Sequence, residues 1–122
     1  AEAAHVREDH IAKAVVIRDE EGYAMAVIPG DTWLDLEALD NETGRHFELD
    51  DESDLRTLFP DCTPGAVPPL GPVYQLETFM DEALSSLSTV YFECGDHAHL
   101  VRVNGETFAD LMRGVRHGHF GR

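Results

Sequence analysis

The pattern of apolar and polar positions predicts a chain of short strands and short helices. Residues 11–18 are rich in valine and isoleucine and end at the turn-prone segment 19–22, and residues 23–28 follow with apolar side chains on both faces. We expect these two segments to form a hairpin whose second strand lies inside a sheet, because an interior strand is covered on both faces. The alternation at residues 89–94 is typical of a half-buried strand. Shorter strands are predicted at residues 46–49, 78–80 and 99–103, the last as an extension of the sheet.

Helices are predicted where a capping side chain precedes apolar residues at helical spacing. The predicted caps are Asp35, Asp51, Asp81 and Asn104. Strands and helices do not alternate as regular βαβ units, so the predicted fold class is α+β, a single domain with a curved mixed β-sheet flanked by short helices. We expect this domain to cover residues 1–112. A flexible tail rich in arginine, histidine and glycine is expected at residues 113–122.

Composition narrows the class of protein. The chain has 122 residues, a length that suits one domain, and no apolar run approaches the roughly 20 residues that span a bilayer. Its 24 acidic and 9 basic residues give a net charge of -15, which opposes attraction to polyanions and argues against a DNA-coating protein. The amino end carries no secretion signal, so the expected location is the cytoplasm. An acidic surface of this kind would suit a cytoplasm of high salt concentration.

The single lysine of the chain, Lys13, lies within the first predicted strand. Period-two spacing places it on one face with Val15 and Ile17, so a charged side chain stands in an apolar row. One interpretation is an edge-strand lysine whose stem covers apolar surface while its ammonium group reaches water. The other is a pocket lysine that holds a phosphate, a carbonyl oxygen or a carboxylate in a site of low dielectric constant. The spacing alone leaves both open.

A second candidate feature is the segment 61–72, in which four prolines and two glycines exclude a helix and disfavour a central strand. Such a loop is preorganised, since it has little conformational freedom to lose when a ligand binds. Backbone N–H groups near Gly65, Ala66 and Val67 could polarise a carbonyl oxygen, as an oxyanion hole does. A rigid connection between two parts of a sheet would explain the same composition.

Histidine and cysteine give weaker signals. His97 and His99 have a spacing that a metal ion can use, but no third ligand is fixed by the sequence, so we predict neither a metal site nor a cofactor. Cys62 and Cys94 are interpreted as reduced structural thiols, because neither has paired metal spacing or an evident partner base.

Several segments together resemble a known family. They are, in chain order, AKAVV at 12–16, LFPDC at 58–62, GAVPPLG at 65–71 and YFECG at 91–95, followed by the predicted helix that ends at Met112. In this order and spacing the chain resembles the YbaK family of aminoacyl-tRNA editing domains. That family is related to the insertion domain of bacterial prolyl-tRNA synthetase and to freestanding deacylases that hydrolyse mischarged tRNA.

The resemblance implies an aminoacyl-tRNA hydrolase that cleaves the ester of a mischarged tRNA in trans. It places the family's pocket lysine on Lys13 as the catalytic residue. The substrate-binding positions that it implies are Gly65, Ala66, Val67, Pro68, Pro69, Gly71 and His97. Positioning and oxyanion stabilisation would be the main sources of rate, so a protein triad is not required for attack by water. The alternative is a noncatalytic module that binds a ligand or a protein on the same fold.

The implied partner is the acceptor end of a mischarged tRNA, with an aminoacyl-tRNA synthetase as a further partner and neither DNA nor a membrane. Because the net charge opposes RNA binding, contact should be confined to the acceptor end. The candidate phosphate contacts are Arg102, Arg113, Arg116 and Arg122. Family members usually carry a strand and most of a helix ahead of the lysine strand, so that segment is expected to be missing here.

Overall fold

The computed structural model describes residues 6–62, 66–96 and 99–122. The strands of this part are β1 (Ala12–Asp19), β2 (Gly22–Pro29), β3 (Glu48–Leu49), β4 (Glu77–Asp81), β5 (Thr89–Glu93), β6 (Leu100–Asn104) and β7 (Arg116–Gly118). The α-helices are α1 (Leu36–Thr43), α2 (Glu52–Leu58) and α3 (Gly105–Leu111), and short 3-10 helices lie at Glu8–His10, Gly71–Tyr74 and Glu82–Ser86. None of the helices in these ranges has the length and apolar character needed to cross a membrane.

The larger sheet has five strands in the order β3-β1-β2-β4-β7. β1 and β2 form the predicted antiparallel hairpin, with Ala12 opposite Pro29, and β2 is an interior strand as predicted. β4 runs parallel to β2, and β7 runs parallel to β4, so the sheet is mixed. Together with the helices it confirms the α+β fold class.

β5 and β6 form a second, antiparallel sheet of two strands. The prediction that residues 99–103 extend the main sheet is therefore wrong in its pairing, although the strand itself is present. The two sheets meet where Ile11 forms an isolated parallel bridge with Tyr91. Within the described residues, most of the outer edge of β1 has no neighbouring strand, since β3 pairs only with Ile17 and Arg18.

Two apolar cores lie on the two faces of the main sheet. The first core, which contains Ala12, Val16 and Val67, joins β1, the proline-rich loop and α3. The second core, which contains Ile17 and Leu39, joins the other face of β1 to α1. Side chains of a strand alternate between its faces, so each residue of β1 is assigned to one core by its position.

The helices begin at the predicted capping residues. The carboxylate of Asp35 accepts a hydrogen bond from the Ala38 N–H at 3.1 Å, and that of Asp51 accepts from the Asp54 N–H at 2.8 Å. Asn104 caps α3 in the same way. These bonds satisfy N–H groups that the first turn of a helix leaves without partners.

Residues 113–122 do not form the mobile tail that their composition predicts. Arg116–Gly118 pairs with β4 as an edge strand, and Phe120 is 2% exposed in the second core. The Asp81 carboxylate accepts hydrogen bonds from the N–H groups of Phe120 at 3.1 Å and Gly121 at 2.7 Å. Although glycine and arginine dominate the segment, the buried Phe120 ring and the Asp81 carboxylate hold it against the domain.

Candidate functional site

Lys13 lies on β1 with its side chain half-buried. Its Nζ donates a hydrogen bond to the Thr32 carbonyl oxygen at 2.9 Å and lies 5.3 Å from the ring centroid of Trp33, an indole that is 79% exposed. No ion pair to Lys13 is found within the described ranges. An ammonium group has three donors, and the described residues accept from one of them, so two can serve a ligand.

The structure does not bring Lys13 and the proline-rich loop onto the same face of the sheet. Val67 packs in the first core with Ala12 and Val16, whereas Lys13 shares its face with Ile17 of the second core. The resemblance implies a shared site for Lys13 and this loop, but the described part of the loop lies on the other face of the sheet from the lysine. The cause is the two-residue period of β1, which sends neighbouring side chains to opposite faces.

The loop packs closely against the sheets. Ala66 and Pro69 are fully buried, and the Ala66 carbonyl accepts a hydrogen bond from the Gly95 N–H at 2.9 Å. A Cβ atom added to Gly71 would overlap the Thr78 hydroxyl on β4. Close packing therefore explains the glycine at position 71, which the resemblance implies as a substrate-binding position. Gly65 lies outside the described residues.

A groove of about 190 Å³ lies along the outer edge of β1, between this strand and the loop. Its lining residues are Ala14, Val15, Val16, Leu49, Asp50, Leu55 and Val67. It includes one of the predicted loop positions, Val67. Asp50 is the one ionisable residue of this lining and the other lining residues are apolar, so the groove combines an apolar wall with one acidic group.

Asp50 is the residue of this groove with a perturbed ionisation. Both of its carboxylate oxygens are buried, and neither has a hydrogen-bond partner within the part of the chain that the structure describes. Burial, together with the neighbouring carboxyl group of Asp54, raises the pKa of Asp50 to about 6. The Asp51 amide and the Arg18 guanidinium group moderate that shift. A carboxyl group in this state would be stabilised by a cation or a hydrogen-bond donor from a ligand.

Apart from His97, the histidines and cysteines considered above lie on separate segments of the described residues. His97 lies outside them, and His99 is exposed with its Nδ1 atom 3.2 Å from the Asp96 carboxylate. Cys62 is half-buried and Cys94 is exposed, both as free thiols. Burial raises the pKa of Cys62, which disfavours the nucleophilic thiolate.

The predicted phosphate contacts are distributed over separate elements. Arg102 lies on β6, while Arg113 follows α3 and pairs with Asp110 at 2.6 Å. Arg116 on β7 donates to the Glu42 carbonyl oxygen, and Arg122 lies 3.4 Å from the Asp35 carboxylate. Since two of the four are paired with acids, the arginines offer less free positive charge than their number indicates.

Two residues of the site are missed by reasoning from the sequence. Trp33 follows the turn after β2 as the only tryptophan of the chain, and its exposure next to a lysine is visible only once β2 and α1 are placed. Asp50 stands in a run of acidic residues in which nothing marks it as buried. The one signal for its burial is its position between a short predicted strand and a helix cap, where the chain returns toward the sheet.

The sequence matches a family model over nearly its whole length. That model is described as an aminoacyl-tRNA editing domain, and the match covers residues 1–111. Among curated proteins, none matches the chain significantly.

Solved structures share the fold. A candidate trans-editing enzyme for prolyl-tRNA synthetase superposes with a TM-score of 0.84 at 24% identity, over 100% of this chain and 76% of that one. A candidate signal-transduction protein from Marinobacter aquaeolei VT8 gives a TM-score of 0.86 at 22% identity, over 97% of this chain. The chain spans only 26% of that protein. At these identities the likeness establishes the fold.

Proposed function

Because the chain belongs to the aminoacyl-tRNA editing domain family, as its match over residues 1–111 establishes, we propose that it hydrolyses the ester bond of a mischarged tRNA in trans. The family match is the observation that carries this proposal. The reaction adds water across the ester and releases the amino acid and the 3′ hydroxyl group of the tRNA. An activated ester of this kind needs chiefly positioning and stabilisation of the oxyanion.

Lys13 is proposed as the anchor of the tRNA 3′ end. Its ammonium group is held by a backbone carbonyl, and no carboxylate partner is found for it in the described ranges, in a chain with 24 acidic residues. Such a group can neutralise a phosphate without first breaking an ion pair. Its position on the sheet face opposite Val67 favours anchoring over polarisation of an acyl group that the loop holds.

The aminoacyl group is proposed to lie at the edge of β1. The lysine face and the loop face of the sheet meet at this edge, so a ligand that crosses it can reach Lys13 and the groove together. The backbone N–H groups of Gly65, Ala66 and Val67 remain the proposed oxyanion donors, and Gly71 remains a proposed substrate-binding position. Pro68 and Pro69 would hold the loop in shape, since proline has no N–H to donate. His97 is proposed as a further contact.

The test is a panel of mischarged tRNAs offered to the wild-type protein, Lys13→Met and Lys13→Arg. Lys13→Met keeps an apolar stem and removes the charge, while Lys13→Arg keeps the charge. A charge-assisted contact contributes about 1.5 to 3 kcal/mol, so Lys13→Met should lower kcat/KM about 10- to 150-fold, mainly through KM. Lys13→Arg should restore part of the loss.

Equal rates for the wild-type protein and Lys13→Met would remove the lysine from the mechanism. Retention of aminoacyl-tRNA without release above the spontaneous rate would instead identify a noncatalytic binding module. These two outcomes are separated by a filter-binding measurement on the same tRNAs.

A further inference from the structure

The outer edge of β1 presents backbone polar groups to the groove. In an antiparallel pair, the N–H and C=O groups of successive residues point alternately toward the partner strand and away from it. The Ile11 carbonyl accepts from Gly30 on the β2 side at 2.7 Å, whereas the Val16 carbonyl accepts from the Asp50 N–H on the other side at 3.1 Å. By this alternation, the N–H and C=O groups of Ala14 point away from β2 and into the groove.

The carboxyl group of Asp50 lines the same groove as Ala14, with the Asp51 amide and the Arg18 guanidinium group as its nearest favourable neighbours. Its oxygens are buried, and no hydrogen-bond partner is found for them in the described ranges. The two nearest acids are already engaged, because Asp51 caps α2 and Asp54 lies 3.4 Å from Arg18. A buried carboxylate without a partner is costly unless a cation pairs with it. The Asp50 carboxylate would therefore be stabilised by a positive group that enters the groove.

The walls and size of the groove limit the ligand that brings this charge. Leu49, Leu55 and Val67 supply apolar surface, and the volume of about 190 Å³ lies below the 300 to 1,000 Å³ that is usual for pockets of drug-sized ligands. A nucleotide is too large for such a space. A small ligand with one ammonium group and one carbonyl group could pair with the Asp50 carboxylate and with the backbone groups of Ala14.

We propose that this groove binds the α-ammonium group of the aminoacyl moiety, with the Asp50 carboxylate as counter-ion and the Ala14 carbonyl as a hydrogen-bond acceptor. The inference rests on the proposed function, which supplies an aminoacyl ester as the ligand. Two of the three N–H donors of the ammonium group meet these two acceptors of the groove, and the third is left for water. The apolar wall then faces the side chain of the amino acid.

The first experiment compares hydrolysis of one aminoacyl-tRNA with hydrolysis of the same molecule acetylated on its α-amino group. Acetylation removes the charge and leaves the ester in place. The wild-type protein should prefer the free amine by about tenfold or more, since a charge-assisted bond to a buried group is lost. Asp50→Asn should reduce this preference to within about twofold by slowing the free-amine substrate.

Glu48→Gln is the matched control. It makes the same change of charge at an exposed position on the neighbouring strand β3, and it should keep the wild-type preference. An Asp50→Asn protein that retains the full preference would overturn the inference. Asp50→Asn removes a buried charge for which the described residues supply no hydrogen-bond partner, so a loss of folding is not expected to obscure the result.

The second experiment separates this inference from the proposed function. Alaninamide and N-acetylalaninamide are titrated into the protein, and the shifts of the backbone amide signals of Ala14 and Asp50 are followed by NMR. Alaninamide should shift them in the wild-type protein but not in Asp50→Asn, and N-acetylalaninamide should shift them in neither. If alaninamide binds in this way but no tRNA is hydrolysed, the ammonium site is supported and the proposed hydrolase activity is refuted. Hydrolysis without discrimination between the two amides would refute the ammonium site alone.

Discussion

Truncation of Phe120 to alanine tests whether the last ten residues belong to the folded domain. The ring is 2% exposed and packs in the second core, and its backbone is fixed by hydrogen bonds to Asp81 at 3.1 Å and from Asp35 at 2.7 Å. Replacement of a buried phenylalanine by alanine costs about 3 to 5 kcal/mol through lost burial and the cavity left behind. Small domains have only about 5 to 15 kcal/mol of stability, so the loss is large.

Thermal and urea unfolding followed by circular dichroism would measure this loss. For a chain of this size about 1 kcal/mol corresponds to about 4 °C, so Phe120→Ala should lower Tm by about 10 to 20 °C. His119→Ala, at the exposed neighbouring position, is the control and should change Tm by no more than about 2 °C. A Phe120→Ala protein with a Tm within about 3 °C of the wild type would show that the segment is not docked.

Three further predictions concern the loop, the groove and the charge. Gly71→Ala should lower the urea midpoint of unfolding, because its new Cβ atom would overlap the Thr78 hydroxyl, and an unchanged midpoint would contradict this packing. The raised pKa of Asp50, about 6, favours the protonated form in the folded state, so its stabilising contribution is full below about pH 4 and lost as pH rises through about 6. Between pH 4 and pH 7 the free energy of unfolding of Asp50→Asn should therefore rise by about 1 to 2 kcal/mol relative to that of the wild type. This is less than the full pKa shift would give, because water reaches the groove. A constant difference between the two proteins, measured by urea unfolding at each pH, would contradict this. Since only the acceptor end is proposed to bind, the logarithm of kcat/KM should fall against the logarithm of salt concentration with a slope no steeper than about -2, and a slope near -5 would indicate a broad RNA interface.

Most of the secondary structure follows from local signals in the sequence. Caps such as Asp35 and Asp51 act on backbone groups three residues away, and the hairpin of β1 and β2 depends on one short turn. These interactions are local, so the spacing of a few residues is enough to predict them. The resemblance to an editing domain, read from the same segments, is likewise confirmed by the family match.

The tertiary relations are less accessible to this reasoning. The strand period alone assigns Lys13 to the face of Ile17, but the face that the loop covers depends on how residues 59–71 return to the sheet. The burial of Asp50 likewise depends on tertiary packing. Nothing within the acidic segment distinguishes this residue until the chain packs it against the edge of β1. Phe120 docks because β4 presents a free edge to β7, a pairing between segments about 37 residues apart.

The most direct test of the proposed activity is a single-turnover measurement with protein in excess over one mischarged tRNA at a time. The rate of amino acid release is compared with the rate in the absence of protein and with that of the correctly charged tRNA. We predict release at least about 100-fold above the spontaneous rate for one or more mischarged pairs, and slower release from the correct pair. Decay of every pair at the protein-free rate would contradict the assignment of this chain as a deacylase.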